Sequence, residues 1–279
     1  MESINNKSIV VPHDFSSASV KAIEFSAYLA EKMKKKLILL NICDSGTLNY
    51  LKIKGLNKSN IEEELQKIAS DLSKQYNVEI ECLVKPARIL DIGMISYKHN
   101  ASYITIGLEK PKKGASKIMR MIVKSPIPVF IVHDRPFHPI NDIVFPLDET
   151  EESRQKSGWA AKIALATNAT VHVYSINLEH QPDSIRFSHN LVVKQIEKFF
   201  SEQWVKFKTI YASDTKTTFG KQYVSYAESI NAGLIIIIRE STSLSFLSSI
   251  IWKPNDKAVL FNSKRIPSLI INPKIYSAR

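Results

Sequence analysis

The sequence predicts an α/β protein made of two similar domains, each a parallel sheet with helices on both faces. The first observation is a repeat, because residues 7–19 read KSIVVPHDFSSAS and residues 141–153 read NDIVFPLDETEES. The second is that short apolar runs alternate with helical periodicity through both halves, which indicates crossover connections and parallel strands. The third is the length of 279 residues, which suits two domains at about 150 residues each.

The first half opens on Ser8–Val11, an apolar run without alternation that is typical of a strand buried on both faces of a parallel sheet. Asp14, Ser16 and Ser17 follow and offer oxygens for a helix N-cap. Apolar residues then recur at helical spacing from Val20 to about Lys34. Further strands are predicted at Leu37–Ile42, Val78–Val84, Tyr103–Ile106 and Pro128–Val132. Further helices are predicted at Ile61–Leu72, Ile89–His99 and Ser116–Lys124.

The second half repeats this order of elements. Its strands are predicted at Ile143–Phe145, Thr170–Ile176, Val205–Tyr211, Leu234–Ile238 and Ser268–Ile271. Its helices are predicted at Glu151–Thr167, Ser184–Ser201, Phe219–Ile230 and Asp256–Asn262. The domains are therefore expected at residues 1–134 and 141–279, joined by a linker of residues 135–140 that contains Pro136 and Pro139.

The net charge of +11, from 38 Lys and Arg against 27 Asp and Glu, raises the hypothesis of a nucleic acid or another anionic partner. The densest cluster, Lys32 with Lys34–Lys36, closes a predicted helix, where cations suit the negative end of the helix dipole. The sequence shows no zinc finger and no aromatic RNA-recognition signature. The lysines are therefore interpreted as solvated helix faces, and nucleic-acid binding is kept as an alternative.

Neither a secretory leader nor a membrane span is expected. The N-terminus MESINNKS is polar, and the longest apolar run, Leu234–Ile238, is far shorter than the ~20 residues that cross a bilayer. Cys43 and Cys82 fall at predicted strands without metal-type spacing, which favours core cysteines in a reducing compartment. We therefore expect a cytoplasmic protein without a disulfide.

Three stretches together resemble the universal stress protein family in its tandem form. They are the VPHDFS run of residues 11–16, the second-strand run LLNI of residues 39–42, and the closing strands after Pro128 and Pro267. The resemblance covers residues 7–133 and 141–273. It implies five parallel strands in the order 3-2-1-4-5 in each half, with a ligand site at their carboxyl ends between the first and fourth strands.

Many members of that family bind ATP there through a G-x2-G-x9-G-[ST] signature, whose glycines let backbone amides close around phosphates. In the first half Gly107 matches the first glycine, whereas Lys110 replaces the second. Ala115-Ser116 replaces the final pair, with Gly114 just before it, and the loop is shorter than the family pattern. In the second half Ile238-Arg239-Glu240-Ser241 replaces the first glycine, residues 239–257 contain no glycine, and Trp252 and Pro254 suggest a loop that fills the cavity.

The resemblance therefore implies a set of nucleotide-contacting positions in the first half. They are Asp14, Ile42, Gly107, Gly114 and Ser116. A remodelled anion site would add Lys112, Lys113 and Lys117; the alternative is a tightened loop with a helix cap at Ser116 and solvated lysines. Asp14 and its counterpart Asp148 also suit helix capping, and Ile42 and Ile176 are ordinary strand positions, so these four are typical of the fold itself.

Two other clusters of residues are weaker candidates for a functional site. His13 beside Asp14 could serve acid–base chemistry, but without a partnered nucleophile a polar loop pair is favoured. His133, Asp134 and His138 lie at the proline-containing linker without further ligands, so no metal site is assigned. No catalytic residue and no bound cofactor are predicted.

The expected function is a non-enzymatic universal stress response protein with a degenerate nucleotide site. The first alternative is a binder of ATP or another adenine nucleotide, with slow ATPase activity, that uses the N-terminal domain. The second is a binder of nucleic acid or protein through the basic surface. The two halves are expected to pair as an intramolecular pseudo-dimer through their apolar last strands, Val129–Val132 and Leu269–Ile271, with a homodimer of chains as a further expectation.

Overall fold

The structure is a computed structural model that describes residues 7–43, 57–109, 115–148, 151–213, 217–239, 259–260 and 262–273. The chain divides into two compact units, Met1–Phe137 and His138–Arg279. Each unit contributes five parallel strands and contains its own apolar core.

The first unit is a five-stranded parallel sheet. Its strands are β1 (Ser8–Pro12), β2 (Leu37–Ile42), β3 (Ile80–Lys85), β4 (Ala101–Leu108) and β5 (Val129–His133). Their order is β3-β2-β1-β4-β5, and each neighbouring pair is parallel. The described helices are α1 (Ser17–Met33), α2 (Lys58–Gln75), α3 (Ile92–Lys98) and α4 (Ala115–Lys124), and a 3-10 turn at Ile89–Asp91 leads into α3.

Local sequence explains how the first helix begins and ends. The Ser16 hydroxyl caps α1 by accepting a hydrogen bond from the Ser19 amide at 3.2 Å. The helix ends at Met33, and Lys34 caps it with a left-handed backbone (φ 52°) and an amide that donates to the carbonyls of Ala30 and Glu31. Between these ends the apolar face packs on the sheet, where Phe25 meets Phe130 edge to face at 5.4 Å.

The second unit repeats the same strand order. Its strands are β6 (Asp142–Leu147), β7 (Thr170–Ser175), β8 (Phe207–Tyr211), β9 (Leu234–Ile238) and β10 (Ser268–Ile271), in the order β8-β7-β6-β9-β10. Its neighbouring strands are again parallel. The described helices are α5 (Ser157–Thr167), α6 (Asp183–Glu202) and α7 (Phe219–Ser229). The predicted α/β class and the sheet order 3-2-1-4-5 are confirmed.

Two predicted helices differ from the structure. The helix expected at Glu151–Thr167 is a 3-10 segment over Glu151–Lys156 followed by α5, and the one expected at Ile89–His99 likewise starts as a 3-10 turn. The helix expected at Asp256–Asn262 falls mostly outside the described residues. Cys43 follows β2 and is buried, whereas Cys82 is half-buried in β3, and neither of these two described cysteines is in a disulfide.

Candidate functional site

The candidate site of the first unit lies at the carboxyl edge of the sheet, where β1 lies between β2 and β4. At such a point the connections of neighbouring strands diverge and leave a crevice. Here the chain leaves β1 at His13 and Asp14 and leaves β2 after Ile42, and Gly107 is the second-last residue of β4. The structure therefore brings these predicted residues to the same edge.

Asp14 supports the turn that starts helix α1. Its Oδ1 accepts hydrogen bonds from the Ser16 amide at 3.1 Å and from the Ser16 hydroxyl at 2.6 Å. Burial alone would raise the pKa of Asp14, but the hydrogen bonds from Ser16 outweigh it, so the pKa lies below its ordinary value. Of the predicted N-cap candidates, Ser16 is confirmed, whereas Asp14 is not the cap and instead holds Ser16 in place.

His13 is a buried residue that connects β1 to its neighbours, whereas the sequence favoured a polar loop residue here. It is 2% exposed, its amide donates to the Leu40 carbonyl at 2.8 Å, and its carbonyl accepts from Asn41 Nδ2 at 2.8 Å. Its Nδ1 lies 2.8 Å from the Ser19 hydroxyl, which itself donates to the Ser16 carbonyl at 2.9 Å. Burial lowers the pKa of His13 although Asp14 opposes this, so the ring is neutral and ties β1 to α1.

Gly107 makes room for a helix. A Cβ at this position would lie 2.3 Å from the carbonyl carbon and oxygen of Ala18 and 2.5 Å from the Ser19 nitrogen. The first turn of α1 therefore packs directly against the β4 backbone, and only glycine permits this approach. Gly107 was assigned to a nucleotide because it matches the family signature, but helix packing alone accounts for it.

The second unit has no glycine at the equivalent place. Register pairs Val10 with Ile104 in the first unit and Val144 with Ile235 in the second, so counting along each strand makes Ile238 the counterpart of Gly107. A branched side chain cannot accept a helix backbone at the distance seen beside Gly107. The segment equivalent to the start of α1 is the 3-10 segment Glu151–Lys156, and this gives a physical reason for the wrong helix prediction there.

Lys156 occupies this altered corner of the second unit. It is 3% exposed, its Nζ donates to the Ser153 hydroxyl at 2.9 Å, and it lies 4.8 Å from the centre of the Phe145 ring. Burial lowers the pKa of Lys156 to about 8, although the charge of Asp148 opposes this. Sequence reasoning missed this residue. The repeat aligns Lys156 with Ala22 of α1, and a lysine at a position that holds a core alanine in the other half could have indicated an unusual buried charge.

The remaining predicted residues give less information about the site. Ile42 packs its side chain on the apolar cluster that includes Val10, Ile38 and Leu40, as expected of a strand residue. Ser116 lies in the first turn of α4. Several predicted positions lie outside the described residues: Lys110, Lys112, Lys113 and Gly114 in the first half, and Glu240, Ser241, Trp252 and Pro254 in the second.

A cavity of about 550 Å³ opens beside this edge of the first unit. Its described lining comes from the ends of two strands and from α4: Cys43, Ala87, Arg88, Ile89, Leu90, Lys117 and Arg120. Three of these residues are cations, and Arg88 is held by Asp91 through two contacts of 3.1 Å. Such a lining suits an anion. Lys117 was predicted; Arg88 and Arg120 were missed because they lie on elements that meet only in the fold.

The described residues give no support to two other classes of site. Among them, no group of three or more His, Cys, Asp or Glu side chains converges as metal ligands would. No helix in the described part of the chain combines the length and apolarity that a membrane span requires.

Comparison with known proteins gives a family match for the first part of the chain. Residues 5–94 match the model of the universal stress protein family. This match covers β1 to β3 and ends before Gly107, so it says nothing about the phosphate loop. No curated protein gives a sequence match to the chain.

Solved structures share the fold of the whole chain. A universal stress protein from Archaeoglobus fulgidus DSM 4304 matches with a TM-score of 0.74 and 15% identity, over 96% of this chain and 99% of that one. A structure from Pseudomonas aeruginosa UCBPP-PA14 assigned to the universal stress proteins matches with a TM-score of 0.63 and 15% identity, over 96% and 94%. The cytoplasmic domain of a prokaryotic cation chloride cotransporter matches with a TM-score of 0.58 and 11% identity, over 95% of each chain. The family model therefore matches the first part of the chain, and these structures show that the whole chain shares their fold.

Proposed function

We propose that this chain belongs to the universal stress protein family and is a non-enzymatic stress-response protein that acts by binding, with a nucleotide cleft altered from the family pattern in both units. The family match supports the stress-response assignment. The alteration of the cleft is inferred from the residues at the switch point of each sheet.

The observation that carries this proposal is the contrast between Gly107 and Ile238. In the first unit the close approach of Ala18 explains the glycine without any phosphate. In the second unit a branched side chain stands at the equivalent position, and the buried Lys156 accompanies it. The features that would argue for a conserved phosphate site are therefore explained by packing in one unit and replaced in the other.

A buried serine–histidine pair in the second unit does not argue for catalysis. Ser175 Oγ lies 2.8 Å from His189 Nε2, a distance suited to nucleophile activation. Ser175, however, is fully buried, so its hydroxyl is not available to attack a substrate. The pair is better explained as a structural link between β7 and α6.

The retained nucleotide of the purified protein tests the proposal. The full chain is purified without added nucleotide, denatured, and the released adenine nucleotides are quantified by chromatography against protein concentration. We expect far less than one nucleotide per chain. A near-stoichiometric amount of ATP or ADP would overturn the proposal and favour an active nucleotide switch.

The basic cavity supports a second candidate function, which is adenine-nucleotide binding by the first unit. Its volume of about 550 Å³ lies within the ~300–1,000 Å³ range of small-molecule sites. Lys117 and Arg120 lie one turn apart on α4 and would offer two positive charges to a phosphate chain. The site would then use side-chain charge where the family uses glycine amides.

Fluorescence anisotropy of a labelled ATP tests this second candidate. If the cavity binds nucleotide, Arg120→Gln lowers the affinity for the labelled ATP, whereas Lys124→Gln, an exposed change at the end of the same helix, leaves it unchanged. Equal losses in the two variants would indicate non-specific attraction to a basic surface and would exclude the cavity as the site. Gly107 is unsuitable for this test because any side chain there would displace α1.

A further inference from the structure

Three side chains from three elements of the second unit form a continuous hydrogen-bonded chain. His172 Nε2 lies 2.7 Å from Asp142 Oδ1, and His172 Nδ1 lies 2.8 Å from the Tyr226 hydroxyl. Asp142 begins β6, His172 lies in β7 and Tyr226 lies in α7. The side chain of His172 is 1% exposed, whereas that of Asp142 is 36% exposed and Tyr226 is half-buried.

The positions of the protons follow from the chemistry of the three groups. An ionised carboxylate only accepts hydrogen bonds, so the proton of the neutral imidazole lies on Nε2 and points to Asp142. His172 Nδ1 is then an acceptor, and the Tyr226 hydroxyl donates to it. Burial lowers the pKa of His172 and the exposed Lys208 adds to this, while Asp142 opposes both, so His172 is an unprotonated base in contact with a phenol.

This arrangement favours the loss of an electron from Tyr226. A phenol that loses an electron becomes a strong acid, and its proton passes to a base that is already in contact. Once protonated, His172 would donate to the Asp142 carboxylate on one side and to the phenoxyl oxygen on the other, and the first of these is a charge-assisted bond. The ring of Tyr174, centred 5.1 Å from that of Tyr226, provides a further aromatic neighbour.

We propose that Tyr226 is a redox-active tyrosine, oxidised by one-electron oxidants of the radical class while its phenolic proton moves to His172 Nδ1. The phenolic O–H bond breaks, the N–H bond forms, the oxidant is reduced by one electron, and a neutral phenoxyl radical remains. A nitrogen dioxide radical can then add to the ring carbon beside the oxygen. The proton on that carbon passes to water, the oxygen takes back the proton held by His172 Nδ1, and the product is 3-nitrotyrosine with His172 neutral again. The site does not depend on the nucleotide cleft or on the proposed function.

Competition among the tyrosines of the native chain tests the proposal. The full-length protein is exposed to limiting peroxynitrite in bicarbonate, which generates carbonate and nitrogen dioxide radicals, and nitrotyrosine is mapped by tandem mass spectrometry. Tyr97 and Tyr211 are the comparators because each is 59% exposed. We expect a higher nitrated fraction at the half-buried Tyr226 than at either comparator. An order that follows exposure, with Tyr226 below both, would overturn the proposal.

A second measurement separates the proton acceptor from a merely structural histidine. His172→Gln keeps a polar side chain but lacks a comparable base. In this variant we expect the nitrated fraction of Tyr226 to fall to that of Tyr97 and Tyr211 or below, while those two tyrosines react as before. In the unmodified chain the ratio of nitration at Tyr226 to nitration at the comparators should also fall as the pH falls, because His172 becomes protonated. Excess nitration of Tyr226 that is unchanged by the substitution, or that does not change with pH, would contradict proton transfer to His172.

Discussion

At the scale of single residues, the glycine at position 107 is explained by the space that its missing side chain leaves. Gly107→Ala would place a Cβ 2.3 Å from the Ala18 backbone, so we expect the free energy of unfolding to fall by about 1–3 kcal/mol or more. Gly158→Ala is the matched control, because Gly158 lies in α5 with nothing within 4 Å of an added Cβ. That change should stabilise by roughly 0.5–1 kcal/mol. Urea denaturation measures both, and equal effects would contradict the packing explanation.

The buried amine of Lys156 gives a prediction with a defined pH window. Its folded pKa of about 8 lies below the ordinary value of 10.5, so the unfolded chain holds the proton more tightly and the stability contributed by this group rises between those two values. At neutral pH the charged amine costs about 3 kcal/mol. Lys156→Met should therefore stabilise the protein at pH 7 by up to roughly that amount and reduce the gain in stability at alkaline pH. Destabilisation by the methionine, measured in urea, would contradict this.

At the scale of elements, two histidines join strands to helices. His13 links the end of β1 to α1 through Ser19, and His172 links β7 to α7 through Tyr226. Burial lowers the pKa of each below the ordinary 6.5, so the unfolded chain binds more protons and stability falls as the pH drops below about 6.5. Urea midpoints should decline between about pH 7.5 and about pH 5.5. A double His13→Gln, His172→Gln variant should flatten this decline, and an unchanged slope would refute the assignment.

The order of elements could be predicted from sequence because buried strands and amphipathic helices leave different periodicities. Leu37–Ile42 and Leu234–Ile238 match their predicted bounds for this reason. The 3-10 start at Glu151–Lys156 could not be predicted from local propensity, because this segment packs against β9, a strand distant in sequence. The cations of the cavity and the Asp142–His172–Tyr226 chain were likewise missed, since each set is assembled from separate elements. His172 still had a signal, because the repeat aligns it with the buried Ile38.

At the scale of the whole molecule, the pairing of the two units through their last strands remains a prediction. β5 and β10 are apolar, and a bare edge strand leaves every second amide without a partner in the sheet. If these edges pair within the chain or between chains, all amides of Val129–His133 and Ser268–Ile271 should exchange slowly with deuterium. Fast exchange at alternate amides of both strands would show that the edges are bare. Light scattering would then distinguish one chain from a homodimer.

The proposal that the nucleotide cleft is altered is tested most directly by calorimetric titration of ATP into the full-length protein at low ionic strength. Since the glycine at position 107 is accounted for by helix packing and its counterpart is Ile238, we expect either no saturable heat or a dissociation constant of about 1 mM or weaker. A dissociation constant in the micromolar range or tighter would contradict this proposal and establish the chain as a nucleotide-binding protein.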